Sequence, residues 1–406
     1  MDKSQMHTYD VELEVLTPVI INTGESYDFC ELIPTGENVE LYSNDRGYNP
    51  FPLTRFCLND VSKMFEKMSV EEAKDFTDRT SDALSEKIPN SSVLRTLREE
   101  RKKDMNLDQC PSVMVVGEVG KELSKKPMQR VDKVVQSPLN GYTYIPGSSI
   151  KGAIRTGLLE FLRDVQHKDY WSKVTNENVH WMKKKVPNQE KKRILDFEME
   201  IMKNRKEFSI LGDPFRYIKV SDFLFTDESD AIPYIAKIGE TKPESASYYA
   251  FPKGRNGKNR PKMPIYSAMT NSFALSGRRI IARGTMSVDE KFFTEINSGG
   301  KIHSLQDILD KMGVFYQANL QSTLSRSAGP LMSYISNKKI RTVSEKDNFL
   351  RLGHYVGIKD YTFNINQVNP PKGHHKVEIN KTGGRLITIA NDILPGICKI
   401  RIISNE

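Results

Sequence analysis

The chain is poor in residues that staple or metallate a fold. Its 406 residues include four cysteines, seven histidines and two tryptophans. Cys30, Cys57, Cys110 and Cys398 lie far apart without a CxxC pair, which argues against a disulfide framework or a zinc knuckle and fits a reducing cytoplasm. No apolar run approaches the roughly 20 residues that cross a bilayer, so no membrane partner is expected. The opening MDKSQMHTYDVELEV lacks the basic-then-apolar order of a signal peptide. HExxH is missing, and GSSIKGAI does not have the GxxxxGK(S/T) spacing of a phosphate-binding P-loop. His374 and His375 are the one adjacent pair of histidines, and two neighbours in a Pro/Gly-rich loop do not make a metal site. Neither a metal nor a cofactor is expected.

What is present is charge and patterning. Lys plus Arg total 60 against 52 Asp plus Glu, a formal net charge of +8, and the mean hydropathy is −0.52. That excess is modest, so its distribution matters more than its size. Tyr9, Val11, Leu13 and Val15 alternate with Asp10, Glu12 and Glu14, the period-2 signature of a strand with one buried face. Thr17-Pro18 interrupts it, and Val19-Ile20-Ile21 resumes before the turn Asn22-Thr23-Gly24. Residues 53–105 read as a charged helical insertion, and 166–208 as a lysine-rich helical connector broken at Pro187. Phe215–Phe223 reads as a strand, helical spacing returns at Leu305, Ile308, Leu309 and Met312, and strand-like runs close the chain at 386–389 and 397–403. These patterns predict an α+β protein of two sandwiches, 1–165 and 209–406, around the 166–208 connector.

The clearest helix follows Tyr144-Ile145-Pro146-Gly147-Ser148-Ser149. Ile150, Ala153, Ile154, Gly157, Leu158, Phe161, Leu162 and Val165 recur at i, i+3, i+4, i+7 spacing, with Ser148 or Ser149 as the expected N-cap. Lys151 and Arg155 lie near its start and off its apolar face. Cations there oppose the helix dipole unless an anion neutralises them, and the two serine hydroxyls suit phosphate oxygens. An ordinary capped helix with two solvated charges fits the same residues. Arg255, Lys258 and Arg260, with Lys253 and Lys262, form a glycine-containing basic loop beside Tyr248, Tyr249 and Phe251, a pattern that favours RNA contact. The lysine cluster at 183–193 reads more simply as a solvated face.

YIPGSSIKGAIRTGLL, at 144–159, resembles the signature segment of the RAMP superfamily, the RRM-like proteins of CRISPR systems. ELEVLTPVIINTGESYDF (12–29), DPFRYIKVSD (213–222), RLGHYVGIKDYT (351–362) and LPGICKI (394–400) resemble further segments of that family in the right order. The resemblance implies two RRM-like (ferredoxin-like) domains with helical insertions. Within the superfamily, the length and motif order most resemble the type III-A subunit that caps the effector filament near the 3′ end of the guide RNA. Its implied partners are crRNA and the repeating backbone RAMP subunit, with trimming nucleases and target RNA beyond them, and its implied role is guide maturation in antiviral defence. In the glycine-containing loop, Arg351, His354, Tyr355 and Lys359 are placed to contact phosphate or stack on a base. A plain hairpin with a convenient tyrosine fits each of those side chains equally well.

Catalysis has weaker support. A metal-independent ribonuclease of the RAMP type, cutting repeat or target RNA, is the alternative, and it would use a general-acid histidine or a loop aspartate. No histidine stands out. Asp28 has surroundings unlike the family's slicing site, and Asp222 reads as a backbone-bonding residue. The expectation is a non-catalytic RNA-binding subunit with no catalytic residue.

Overall fold

The computed structural model describes residues 5–27, 32–34, 50–55, 68–75, 78, 112–116, 131–137, 139, 141–165, 198–203, 210–241, 265–270, 279–325, 348–354, 386–389 and 394–405. In chain order the strands begin with β1 (Met6–Val15), β2 (Asn22–Tyr27), β3 (Leu32–Pro34), β4 (Pro50–Arg55), β5 (Ser112–Val116) and β6 (Val131–Val134). Helix α1 (Gly147–Val165) follows, then β7 (Ile218–Val220), β8 (Leu224–Phe225), β9 (Tyr234–Thr241), β10 (Ile265–Met269) and β11 (Ile281–Asp289). Helix α2 (Leu305–Ser325), β12 (Asn348–Arg351), β13 (Leu386–Ile389) and β14 (Ile397–Asn405) complete the chain.

The first sheet runs β12-β14-β1-β11-β7, with every pair antiparallel. Its principal elements occur along the chain as β1, α1, β7, β11, α2, β14. That is a β-α-β-β-α-β unit with the fourth and third strands flanking the first, the ferredoxin-like arrangement, to which β12 adds an edge. Val11, Leu13 and Val15 of β1 pack with Ile150, Ile154 and Leu158 of α1 and Ile308, Leu309 and Met312 of α2 in one core. The period-2 and period-3.6 patterns of the sequence thus meet in the same hydrophobic layer. Helix on helix, the Tyr316 hydroxyl donates to the Ala153 carbonyl at 3.1 Å.

The second sheet runs β2-β6-β10-β9-β5-β4-β3, with β13 paired to β9, and it is mixed, since β6 and β10, and β5 and β9, are parallel. Both sheets take strands from either side of residues 166–208, so that connector does not divide one sheet from the other. A second β-α-β-β-α-β unit, which two RRM-like domains would require, is not formed among the described residues. Of the expected 53–105 insertion, 53–55 belong to β4, 70–75 are helical and most of the remainder lies outside the described residues. The expected strand at 215–223 is shorter. Pro214 opens a 3-10 turn over Pro214–Tyr217, Asp213 accepts the Phe215 N–H at 2.9 Å, and extended pairing begins at Ile218.

Candidate nucleic-acid interface

The start of α1 is a clasp. The helix comes so close to the chain after β7 that a Cβ on Gly147 would lie 2.3 Å from the Val220 carbonyl oxygen and 2.4 Å from that of Ser221. Asp222 Oδ1 accepts the Gly147 N–H at 2.9 Å, so the positive end of the helix faces a carboxylate of the same chain. This corrects the expectation that Ser148 or Ser149 supplies the cap, and it bears out the backbone-bonding reading of Asp222. Ser148 is exposed and Ser149 half-buried.

One turn further on, Lys151 donates Nζ to the Ile218 carbonyl at 2.7 Å. Burial pushes its pKa down, Asp213 pulls it back up, and Arg155 lowers it again. Arg155 donates to Asp213 Oδ2 at 2.6 Å, reaches Glu198 at 3.5 Å and lies over the Phe215 ring, 5.2 Å from its centroid. Burial pushes the Glu198 pKa up against the pull of Arg155. The anions that this cationic helix start requires are therefore supplied by the protein. YIPGSSIKGAIR and DPFRYIKVSD, far apart in sequence, are the two sides of one joint.

A second joint gathers three more of the family-like segments. The crossing from β1 to β2 is Leu16-Thr17-Pro18-Val19-Ile20-Ile21. Leu16 and Thr17 N–H groups both donate to the Ile397 carbonyl, at 3.0 and 3.1 Å, and the Thr17 hydroxyl accepts the Ile397 N–H at 2.8 Å. Gly396 donates to Pro18 at 2.7 Å and His354 N–H to Ile20 at 2.5 Å. Gly353 has φ +91° and would place a Cβ 2.4 Å from the Ile20 carbonyl oxygen, so this position needs glycine twice over. The close approach is to the protein's own backbone. Arg351 is buried and donates to the Pro395 carbonyl at 2.8 Å, while His354 is exposed. Tyr355, Lys359, Arg255, Lys258 and Arg260 lie outside the described residues.

A third cluster joins residues whose spacing in the sequence does not connect them. On the face of the first sheet opposite the helices, Glu12 pairs across the strands with Arg283 of β11 and Arg401 of β14. Its carboxylate is almost fully buried and takes Arg401 Nε at 2.9 Å, Arg279 Nη2 at 3.1 Å and Arg283 Nη2 at 3.3 Å. Arg279 also reaches Glu14 at 3.0 Å. Burial raises the Glu12 pKa, but hydrogen bonds and charge from Arg401, Arg283 and Arg279 outweigh it and leave the pKa lowered. A carboxylate held below its unfolded value adds stability above the unfolded pKa and loses it as pH falls through the folded one. Glu12→Gln is therefore expected to be clearly less stable than the native chain near neutral pH. The gap should shrink in acid below the ordinary glutamate range of about 4.3. Denaturant melts of both proteins across that range check it, and a gap independent of pH would refute it. The alternation of Asp10, Glu12 and Glu14 was legible, but which cations flank them depends on pairings with residues near 283 and 401.

The family model of the RAMP superfamily matches residues 12–317, a span that contains the end of β1, α1, the first joint and β11. The chain belongs to the RAMP superfamily. Two curated relatives named CRISPR system protein Csm5 are similar to this RAMP protein. The one from Methanocaldococcus jannaschii is 24% identical over 217 residues, 53% of this chain and 43% of the relative. The one from Streptococcus thermophilus is 29% identical over 164 residues, 39% of each. The matched segment thus spans about two fifths of these relatives' length. In fold, the chain matches a subunit in a cryo-EM structure of a type III-A Csm–crRNA–target RNA ternary complex. The TM-score is 0.59 at 14% identity, over 97% of this chain and 100% of that one. It also matches the crystal structure of T. onnurineus Csm5, with TM-score 0.54 at 15% identity over 96% and 99%.

No described helix is long and apolar enough to cross a membrane. Among the described residues no group of three or more His, Cys, Asp or Glu is gathered as a metal site would be.

Proposed function

We propose that this RAMP protein is the Csm5-type subunit of a type III-A CRISPR ribonucleoprotein, working in the cytoplasm as a non-catalytic RNA-binding cap. In this reading it ends the filament of repeating backbone subunits, binds crRNA toward its 3′ end and supports crRNA maturation, with trimming nucleases and target RNA as further partners. The observation that carries it is membership of the RAMP superfamily together with two curated relatives that bear the Csm5 name. Exposed Ser148 and His354 are proposed RNA contacts, as are Tyr355, Lys359, Arg255, Lys258 and Arg260. Lys151, Arg155 and Arg351 are engaged inside the protein and act first as supports for those surfaces.

The test is guide length in cells. A strain lacking the chain is expected to make the primary cut of precursor RNA normally while mature guides fall in abundance or stall at intermediate length. Northern blots of crRNA read this directly. Accumulation of uncut precursor would favour the endoribonuclease alternative. So would loss of target cleavage on substituting Asp28, His354 or Asp222 singly in a complex that still assembles.

A further inference from the structure

We infer that the open face of the first sheet, around buried Glu12, is a binding surface for the phosphate backbone of single-stranded RNA, with Arg283 and Arg401 as its principal contacts. The choice of RNA as occupant rests on the functional reading above, and the surface itself rests on geometry.

Glu12 is almost completely buried, yet the side chains it holds are open, Arg283 to 60% and Arg401 to 59%. A guanidinium carries five N–H donors. Arg401 turns Nε and Nη2 toward Glu12, and Arg283 turns only Nη2, so both keep donors directed away from the carboxylate. The buried anion therefore acts as a peg that fixes the direction of two exposed forks. Fixing a rotamer-rich side chain before the ligand arrives removes part of the entropic penalty of binding.

Charge selects the partner. At the rows of Glu12 and Glu14, Arg279, Arg283 and Arg401 are the cations that the described residues gather on these two carboxylates, three positive charges to two negative, a net positive balance at neutral pH. In the next row Asp10 is held by the Ser404 hydroxyl at 2.8 Å, and Thr285 stands opposite it on β11. Between the two central strands no outward position from residue 8 to 14, or from 281 to 287, is aromatic. Base stacking of the RRM kind is thus unavailable there, and a protein interface would lack the aromatic anchors that dominate such contacts. A flat array of arginines and hydroxyls instead suits phosphate oxygens, with little dependence on base sequence.

The experiment is a filter-binding titration of the purified chain, and of the assembled complex, with polyuridylate RNA across potassium chloride concentrations. Each phosphate contact on a single strand contributes about 0.7 to the log–log salt slope. Arg283→Ala/Arg401→Ala is expected to bind at least about tenfold more weakly at low salt and to lower the slope by about 1.4, two contacts' worth. Because that variant leaves Glu12 underpaired, Glu12→Gln/Arg283→Gln/Arg401→Gln is measured beside it. It removes the forks together with the buried charge and should show the same loss while folded. Unchanged affinity and slope in a folded variant overturns the inference and leaves the functional reading intact. Unchanged RNA binding with failure to join the complex assigns the face to an acidic protein partner and also overturns it. A native chain that binds no RNA, alone or assembled, overturns both.

Discussion

Alanine at Gly147 is expected to destabilise the protein by about 3 kcal/mol, at the upper end of the overpacking range, whereas alanine at Gly152 in the same helix should stabilise it. At Gly147 the new methyl carbon would meet two backbone carbonyl oxygens within 2.4 Å, and backbone cannot move aside as a side-chain tip can. Relief requires α1 to lift away from residues 220–222, which would also stretch the Gly147–Asp222 hydrogen bond. At Gly152 nothing lies within 4 Å of the new carbon, so only the backbone-entropy term of a helix-interior glycine changes, worth about 0.5–1 kcal/mol in favour of alanine. Gly157 falls between them. Its added carbon would approach Met312 Cγ at 2.8 Å, which can swing, and Met312 Cα at 2.9 Å, which cannot do so freely. Equilibrium denaturation of the three single variants reads the signs directly. Destabilisation at Gly152, or tolerance at Gly147, would mean that the helix docks differently from the structure described here.

The same contrast explains what the sequence could and could not disclose. The apolar stripe of α1 was legible because one helix carries its whole pattern within 19 residues, and its predicted core positions are buried apart from half-buried Phe161 and Val165. The opening strand was legible for the same local reason. The role of Gly147 was not, because the carbonyls that forbid a side chain there lie some 70 residues downstream. Lys151 and Arg155 were visible as misplaced cations at a helix start, and the physics that flagged them was sound, since they do need anions. Asp213 and Glu198 could not be paired with them from spacing alone. The five family-like segments follow the same logic: two form the joint at α1 and three form the joint around Leu16–Ile21. Two of them, YIPGSSIKGAIRTGLL and RLGHYVGIKDYT, read in the sequence as places for an RNA ligand, and none of the five named another as its partner. In the fold these motifs contact one another across the two joints.

The largest single-residue electrostatic effect should come at Arg155. Its side chain and that of Asp213 are each only about one fifth exposed, so removing one partner strands a partly buried charge. Breaking a buried pair in this way costs about 3 kcal/mol, which is the loss expected for Arg155→Ala. Asp213 also accepts the Phe215 N–H that opens the turn into β7, so the clean partner is Asp213→Asn, which keeps an acceptor oxygen and removes only the charge. The double variant should be less damaged than the two singles combined, with a coupling energy of about 1–3 kcal/mol. Glu198 limits the effect: burial already raises its pKa, so on loss of Arg155 it can take up a proton and shed part of the penalty. The Arg155→Ala loss should accordingly grow from mildly acidic to neutral pH, as that proton becomes harder to retain. RNA affinity, measured on the same proteins below their melting transitions, separates the two roles weighed for this residue. Coupled stability loss with unchanged RNA affinity marks Arg155 as the pin of the α1–β7 joint. Lost RNA affinity without any stability change would mean that the guanidinium leaves Asp213 to meet phosphate, and that the joint holds without it.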